Sequence, residues 1–407
     1  MEKTKTKANL LKLILISLAI SPAFALGDNN RNLLLIGVMF LSPIIILKNI
    51  KLYHINSVLI LFMGSIVLFP LILHPETLRW STVLYSIMFV LTFIAFKLLL
   101  IQKRFSTIHY FNILRFLIYA YFIVLLIQQF CVLTGLPIFN LSNYNSDEPW
   151  KLNSLSSEPS HSARIVALLM YCFITIKELL TNRNYSLKVD FTKDKWVWIA
   201  FIWTMITMGG ATAILFIIII LLKFLRFKKI LPFIITAIIF ISILDYSGIK
   251  SFQRTKNVIL ATVTLNESAI LETDHSAAMR IVPGLVASKK VGFNSLNDWF
   301  GYGVDFTASF MSIEVPGLPE GTSGGGMFQI WLEYGFISFA LFVVFSFSIT
   351  CRKRDYLSFL FWFLLVFAYG VNNQIVWLCI VLLYTNKYFY KKKPNFNYKA
   401  NLSKKLI

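Results

Sequence analysis

Within the stretch Ser157-Glu158-Pro159-Ser160-His161-Ser162-Ala163-Arg164, a carboxylate, an imidazole and a guanidinium stand three residues apart at the head of a long apolar run. Proline suits the first turn of a helix, where its missing N–H costs nothing. The spacing therefore predicts a helix starting at Pro159, capped by Ser157 or Glu158. Steps of three and four residues share a helix face, so Glu158, His161, Arg164 and Leu168 would project together. Carboxylates and imidazoles move protons, and a guanidinium grips oxyanions through a planar fork. The plainer alternative is the start of a membrane span, with an arginine reaching to the interface. Ionisable groups at membrane depth usually mark function.

Further groups lie later in the chain. Asp274-His275-Ser276-Ala277-Ala278-Met279-Arg280 falls in an amphipathic pattern that predicts a helix from about Thr273 to Lys289. Arg280 is either part of a site or a solvated surface charge. Gly301-Tyr302-Gly303-Val304-Asp305 is a glycine turn after aromatics. It is not a nucleotide fingerprint, because the third glycine and the flanking strand and helix are missing. Gly324-Gly325-Gly326 reads as a hinge before a span that carries Gln329 and Glu333 one turn apart. Glu333 is either hydrogen-bonded within the bundle or functional, because an unpaired carboxylate there is costly.

Composition says what positions these groups. Of the 407 residues, 57% are hydrophobic and only 14% charged, with mean hydropathy +0.70. Surface-to-volume scaling leaves a soluble protein of this length no way to hide so much apolar surface. A soluble enzyme, a disordered chain and a disulfide-stapled secreted module are all excluded. The fold class is an all-α integral membrane protein. A span needs roughly 20 apolar residues to cross a ~30 Å hydrocarbon core. Twelve candidates follow: Leu10–Leu26, Leu33–Leu47, Ile55–Leu73, Thr82–Ile101, Ile113–Leu133, Ala163–Leu180, Trp196–Met208, Ala211–Leu222, Ile230–Tyr246, Met327–Ile349, Leu357–Tyr369 and Gln374–Tyr384. The seventh and eighth meet at Gly209-Gly210 and are either two tilted spans or a broken pair.

Basic residues favour the cytoplasmic side of a membrane. With the N-terminus inside, 29 of the 39 basic residues fall inside and ten outside; five acidic residues fall inside and thirteen outside, with Glu333 within a span. The net charge of +20 is thus a topological signal and nucleic acid is not needed. Both termini are expected in the cytoplasm. Lys3, Lys5 and Lys7 before an apolar run and Ala23-Phe24-Ala25 also resemble a cleavable signal peptide; cleavage would leave eleven spans and keep every later loop on its side.

The expected organisation is spans one to nine in residues 1–246, a large outer loop over 247–326 between spans nine and ten, the last three spans over 327–384, and a basic tail over 385–407. A second outer segment covers 134–162. Connections this long are usually functional or disordered, and the aromatics of the large loop predict folding against the membrane face. The inner loops are too short for a nucleotide-binding domain. No P-loop, Asp-x-Asp pair, nucleophile elbow or His/Cys metal cluster is present, and Cys131, Cys172, Cys351 and Cys379 read as core filling. An enzyme built this way works at the outer face on a substrate that arrives activated on lipid. No cofactor or metal is called for.

This pattern resembles the O-antigen polymerase (Wzy) family of bacterial inner-membrane proteins, over most of the chain as architecture. Glu158-Pro159-Ser160-His161 looks like the family's Glu-Pro-Ser/Ala-His element, and Met208-Gly209-Gly210-Ala211-Thr212 sits where the family has a small-residue break between two spans. Arg280, Gly301-Tyr302-Gly303 and Glu333-Tyr334-Gly335 follow the order of the wider polymerase and ligase superfamily. The ligase branch has a His-Asn pair before that Glu-x-Gly element; here the equivalent positions are Gly324 and Gly325, which favours the polymerase.

The resemblance implies glycosyl transfer between two undecaprenyl-diphosphate-linked glycans at the periplasmic face. A sugar hydroxyl of the incoming repeat unit attacks the anomeric carbon of the growing chain, and undecaprenyl diphosphate leaves. On that reading Arg164 and Arg280, with Arg254 in reserve, grip the diphosphate. Glu158 or His161 takes the proton, an unperturbed imidazole titrating at ~6.5. Trp299, Tyr302 and Asp305 are weaker candidates for glycan contact, since packing within the loop would occupy such side chains too. The implied partners are the lipid-linked repeat units, membrane lipid, a chain-length regulator and a flippase. The rivals are a lipid A-core ligase and a lipid-linked glycan flippase or other transporter. A transporter should show repeats and charged, broken helices at mid-membrane, and the sequence has one Gly-Gly break, one mid-span carboxylate and no repeat. A structural scaffold has no feature in its favour.

Overall fold

Backbone groups in an apolar setting must satisfy one another, so apolar runs become helices. The computed structural model describes residues 2–21, 24–26, 29–49, 56–102, 105–140, 149–208, 211–224, 275–315 and 324–392, with isolated positions between 257 and 272. The first eight runs are helices α1 (Glu2–Ala19), α2 (Leu33–Asn49), α3 (Ser57–Leu73), α4 (Trp80–Ile101), α5 (Thr107–Thr134), α6 (Pro159–Thr181), α7 (Leu187–Thr207) and α8 (Ala211–Leu222). The ninth run, Gly209-Gly210, Arg254 and Asp274 lie outside the described residues. The chain continues with α9 (His275–Lys290), α10 (Leu296–Phe300), α11 (Phe306–Glu314), α12 (Phe328–Thr350), α13 (Tyr356–Trp362) and α14 (Gln374–Lys391). A π turn over Phe363–Phe367 prolongs α13. Among the described residues the strands are β1 (Phe24–Leu26) and β2 (Asn29–Arg31), one short antiparallel ribbon.

Helices α4, α5 and α12 are long and apolar enough to cross a membrane, and α1, α2, α3, α8 and α13 with its π turn are shorter apolar helices. The 22 residues of α4 reach roughly 33 Å at 1.5 Å each. Outward faces carry Phe40, Ile72, Leu133 and Ile206, each at least 64% exposed. Monomeric soluble proteins seldom show such apolar surface. The architecture is consistent with a helical membrane protein.

Several boundaries differ from the apolar runs. The first helix stops at Ala19, just before Ser21-Pro22, because the residue ahead of a proline is driven out of the helical region. Helix α1 packs against α2, α4, α5 and α14. Gln374 Nε2 donates to the carbonyls of Leu18 and Ile20 at its end, and Tyr121 Oη donates to that of Ala19. Helices α7 and α8 are two separate helices. Helix α12 contains a break at Gly335.

Helix α6 forms the axis. Every residue from Ser162 to Ile176 is buried, as α5, α7, α8 and α14 surround it, and a helix apolar on all sides is a core helix. Local signals set its neighbours. Asn56, Ser106 and Asn373 accept backbone N–H bonds at the starts of α3, α5 and α14, and Gly135 ends α5 in the left-handed conformation.

Candidate active site

Helix α6 begins at Pro159 as its sequence predicts, with Glu158 at the N-cap in extended conformation. The Glu158 side chain does not cap the helix. Its Oε2 accepts from Ser160 Oγ at 2.8 Å, and its Oε1 lies 3.7 Å from His161 Nε2. The other imidazole nitrogen meets Ser157 Oγ at 3.2 Å. The carboxylate and imidazole are therefore brought together. The loop leading into them is buried and must find partners for its backbone. Side-chain amides supply these. Asn140 Nδ2 donates to Ser154 O and Ser156 O, Asn153 Nδ2 donates to Ser157 O, and Gln128 Oε1 accepts from Ser154 N.

Arg164 lies one turn further along α6. Its guanidinium is 5.0 Å from the Tyr369 ring centroid, and the residue is 6% exposed. It lines a cavity of about 390 Å³ with Thr212, Gly324, Gly325, Gly326, Gln329 and Tyr369 among the walls. His161 lines a different cavity of about 730 Å³. That second cavity is polar along Ser157, His161 and Gln374 and apolar along Ile36, Met39, Phe40, Leu84 and Met88 of α2 and α4. Phe40 and Leu84 are exposed on the outer surface, so the apolar wall continues onto the outer faces of those two helices. Asn372 and Asn373 line both cavities. Residues three apart on a helix point within about 60° of one another, so His161 and Arg164 share a face and open on neighbouring cavities that meet at this asparagine pair.

Arg280 lies in α9, close to where the amphipathic pattern puts that helix. It stands one turn, roughly 5 Å along the axis, before Pro283. Pro283 and Ala287 pack on Gly324 and Gly325, which line the Arg164 cavity. The α9 backbone thus passes alongside that cavity. Arg254 is outside the described residues.

The three glycan candidates are engaged within the protein. Trp299 Nε1 donates to Phe293 O at 3.2 Å, and its ring packs on Phe293 and Phe336. Tyr302 Oη donates to Asp298 Oδ1 at 2.8 Å, and its ring stacks on Phe306. Asp305 accepts from Arg79 at 3.3 Å and from Thr82 at 3.2 Å. Burial pushes the Asp298 carboxyl up, yet bonds from Tyr302 and from Ser295 and Asn294 outweigh it and hold the group below the usual carboxylate range.

The two glycine motifs meet. Gly301 has φ +101° and Gly335 φ +82°. A Cβ on Gly301 would sit 2.3 Å from Glu333 O, and one on Gly335 would sit 2.2 Å from Trp299 O, so only glycine allows the backbones to cross this closely. Tyr302 N donates to Leu332 O at 2.7 Å, and His74 Nε2 meets Gly301 O at 3.1 Å. This crossing ties the α10 region to the break in α12. Glu333 beside it is fully buried. Its Oε1 accepts from Gln329 Nε2 at 3.0 Å, while Oε2 has no hydrogen-bond partner among the described residues.

Sequence reasoning passed over Tyr369, Asn372 and Asn373 as site residues. Their signal was an aromatic and two amides at the junction of two short apolar runs. No group of three or more His, Cys, Asp or Glu side chains able to hold a metal occurs among the described residues. Comparison with protein-family models, curated proteins and solved structures finds no match to this chain.

Proposed function

We propose that the chain is an O-antigen polymerase, joining undecaprenyl-diphosphate-linked oligosaccharide repeat units at the periplasmic face of a bacterial inner membrane. The observation that carries this reading is the head of α6. There His161, with Glu158 beside it at 3.7 Å, opens on one cavity and a buried Arg164 on the next, and Asn372 and Asn373 line both. Helical neighbours three apart stand ~5–6 Å apart at Cβ, the scale of a sugar hydroxyl approaching the carbon that bears a diphosphate.

In this mechanism the diphosphate of the growing chain lies against Arg164, with Arg280 approaching from α9. The incoming hydroxyl sits at Glu158 and His161, which take its proton as the new C1–O bond forms. The bond from C1 to the diphosphate oxygen breaks, and undecaprenyl diphosphate departs with the electron pair. Guanidinium charge stabilises the leaving group directly. The apolar wall on α2 and α4, which reaches the outer surface at Phe40 and Leu84, gives a polyprenyl chain a surface to lie on. Asn372 and Asn373 are placed to orient sugar hydroxyls at the boundary.

The test is a lipopolysaccharide gel from a deletion strain complemented with Glu158→Ala, Arg164→Ala or Arg280→Ala. The expected pattern is core plus a single repeat without a ladder. An unchanged ladder for all three expressed variants rejects the site. Loss of even the single repeat points to flipping or ligation.

A further inference from the structure

The opposite end of α6 holds a larger cavity, about 1090 Å³, that the reaction above does not use. It lies between the α6–α7 junction, the end of α8, the turn from Cys351 to Leu357 and the end of α14. Its two carboxylates are already committed. Glu178 accepts from Lys223 Nζ at 2.9 Å and from Tyr185 N at 3.0 Å. Asp355 accepts from Arg352 Nε at 2.8 Å and from Tyr171 Oη at 2.5 Å. Five more cations line the cavity: Lys188, Lys353, Arg354, Lys387 and Lys391. None of the five has a carboxylate partner among the described residues.

The preference of basic residues for one side of a membrane explains why lysines and arginines lie at this end. It does not explain their convergence on one cavity. Arg352 is fixed there by Asp355 and by the Tyr390 ring, 4.0 Å away. Arg354 has φ +64°, a left-handed conformation that L side chains rarely adopt and that persists where the surroundings impose it. Lys387 donates to the carbonyl of Cys351 at 2.6 Å. Burial first, then the adjoining Lys391 and Arg352 charges, lower its pKa. The rim carries Leu187 and Tyr356, both exposed, and a tyrosine with an apolar neighbour suits the membrane interface.

We propose that this cavity binds a phosphoryl anion, a phosphodiester or diphosphate, held by Arg352, Arg354 and the surrounding lysines. Basic pockets between transmembrane helices take lipid head groups in this way, and a free diphosphate offers the same oxygens. The inference is independent of the chemistry at the Glu158 end.

The experiment uses the full chain in phosphatidylcholine nanodiscs. Cardiolipin or inorganic diphosphate is titrated in, and binding is followed by native mass spectrometry and melting temperature. The variants are Lys353→Ala with Lys391→Ala, and Arg354→Gly. Glycine accepts the left-handed conformation, so Arg354→Gly removes charge without straining the turn. Lys289→Ala with Lys290→Ala is the control. Cardiolipin binding weakened at least tenfold by both cavity variants and unchanged in the control identifies a lipid head group. The same pattern with diphosphate alone identifies a soluble anion, which also supports the proposal. Absence of binding by either probe, or equal binding by wild type and both cavity variants, overturns it.

Discussion

The two ends of the bundle use charge in opposite ways. At the Lys177 end, Lys177–Asp194, Lys223–Glu178, Arg352–Asp355 and Arg183–Asp190 form ion pairs, with at least one partner of each largely buried. Two of them join helices: Lys177 on α6 reaches Asp194 at a kink inside α7, and Lys223, just past α8, reaches Glu178 on α6. At the Pro159 end the contacts are looser. Glu158 and His161 are 3.7 Å apart, and Arg79 and Asp305 are 3.3 Å apart and partly exposed. What holds that end is the crossing at Gly301 and Gly335 and a net of amide hydrogen bonds. Paired charges at one end fasten helices, whereas at the other His161 and Arg164 stand at cavity walls where a ligand can meet them, with Glu158 beside His161.

The largest expected effect breaks the glycine crossing. Gly335→Ala forces a Cβ to within 2.2 Å of Trp299 O, and the loss is expected to reach at least ~3 kcal/mol from strain and displaced backbone. A melting curve in detergent checks this, and an unchanged midpoint would refute the crossing. Next comes the charge contrast. Lys177→Met leaves Asp194 without its cation, at a cost of about 3 kcal/mol, yet polymer formed per folded molecule should be unchanged. A normal melting temperature with lost polymerisation would invert the comparison.

A smaller effect depends on pH. The Asp298 carboxyl is held below its ordinary range, so its contribution to stability is present above the unfolded value of ~4 and disappears as pH falls through the folded one. Proteolysis of the segment from Val291 to Glu314 should accelerate on acidification in wild type, and Asp298→Asn should be sensitive already at neutral pH. Identical acid profiles in the two proteins would remove Asp298 from the account. Smallest is Trp299→Phe, which loses one bond to Phe293 O at a cost of about 1 kcal/mol and should leave the ladder intact. A shortened ladder would return Trp299 to the glycan-contacting set.

Helix positions were legible because apolar run length and period are local properties. The start of α6 at Pro159 and the place of α9 followed from a proline rule and an amphipathic pattern. The meeting of Glu158 and His161 was legible as well, since the two stand three residues apart where α6 begins. That His161 and Arg164 line different cavities was not, because those walls include Tyr369, Asn372 and Asn373, which arrive about two hundred residues later in the chain. The same holds for the glycine crossing. Each glycine motif looks like an ordinary turn until Glu333 O and Trp299 O are brought against it. The engagement of Asp305 by Arg79 and Thr82 is likewise a product of tertiary packing that no local pattern encodes.

The central claim is tested most directly with purified protein supplied with undecaprenyl-diphosphate-linked repeat units, comparing wild type, Arg164→Ala and Lys177→Met. The account predicts that wild type and Lys177→Met lengthen the glycan and release undecaprenyl diphosphate, while Arg164→Ala loses at least ~100-fold in rate, about 2.7 kcal/mol of transition-state stabilisation, with its melting temperature retained. Full polymerisation by a folded Arg164→Ala protein would contradict it.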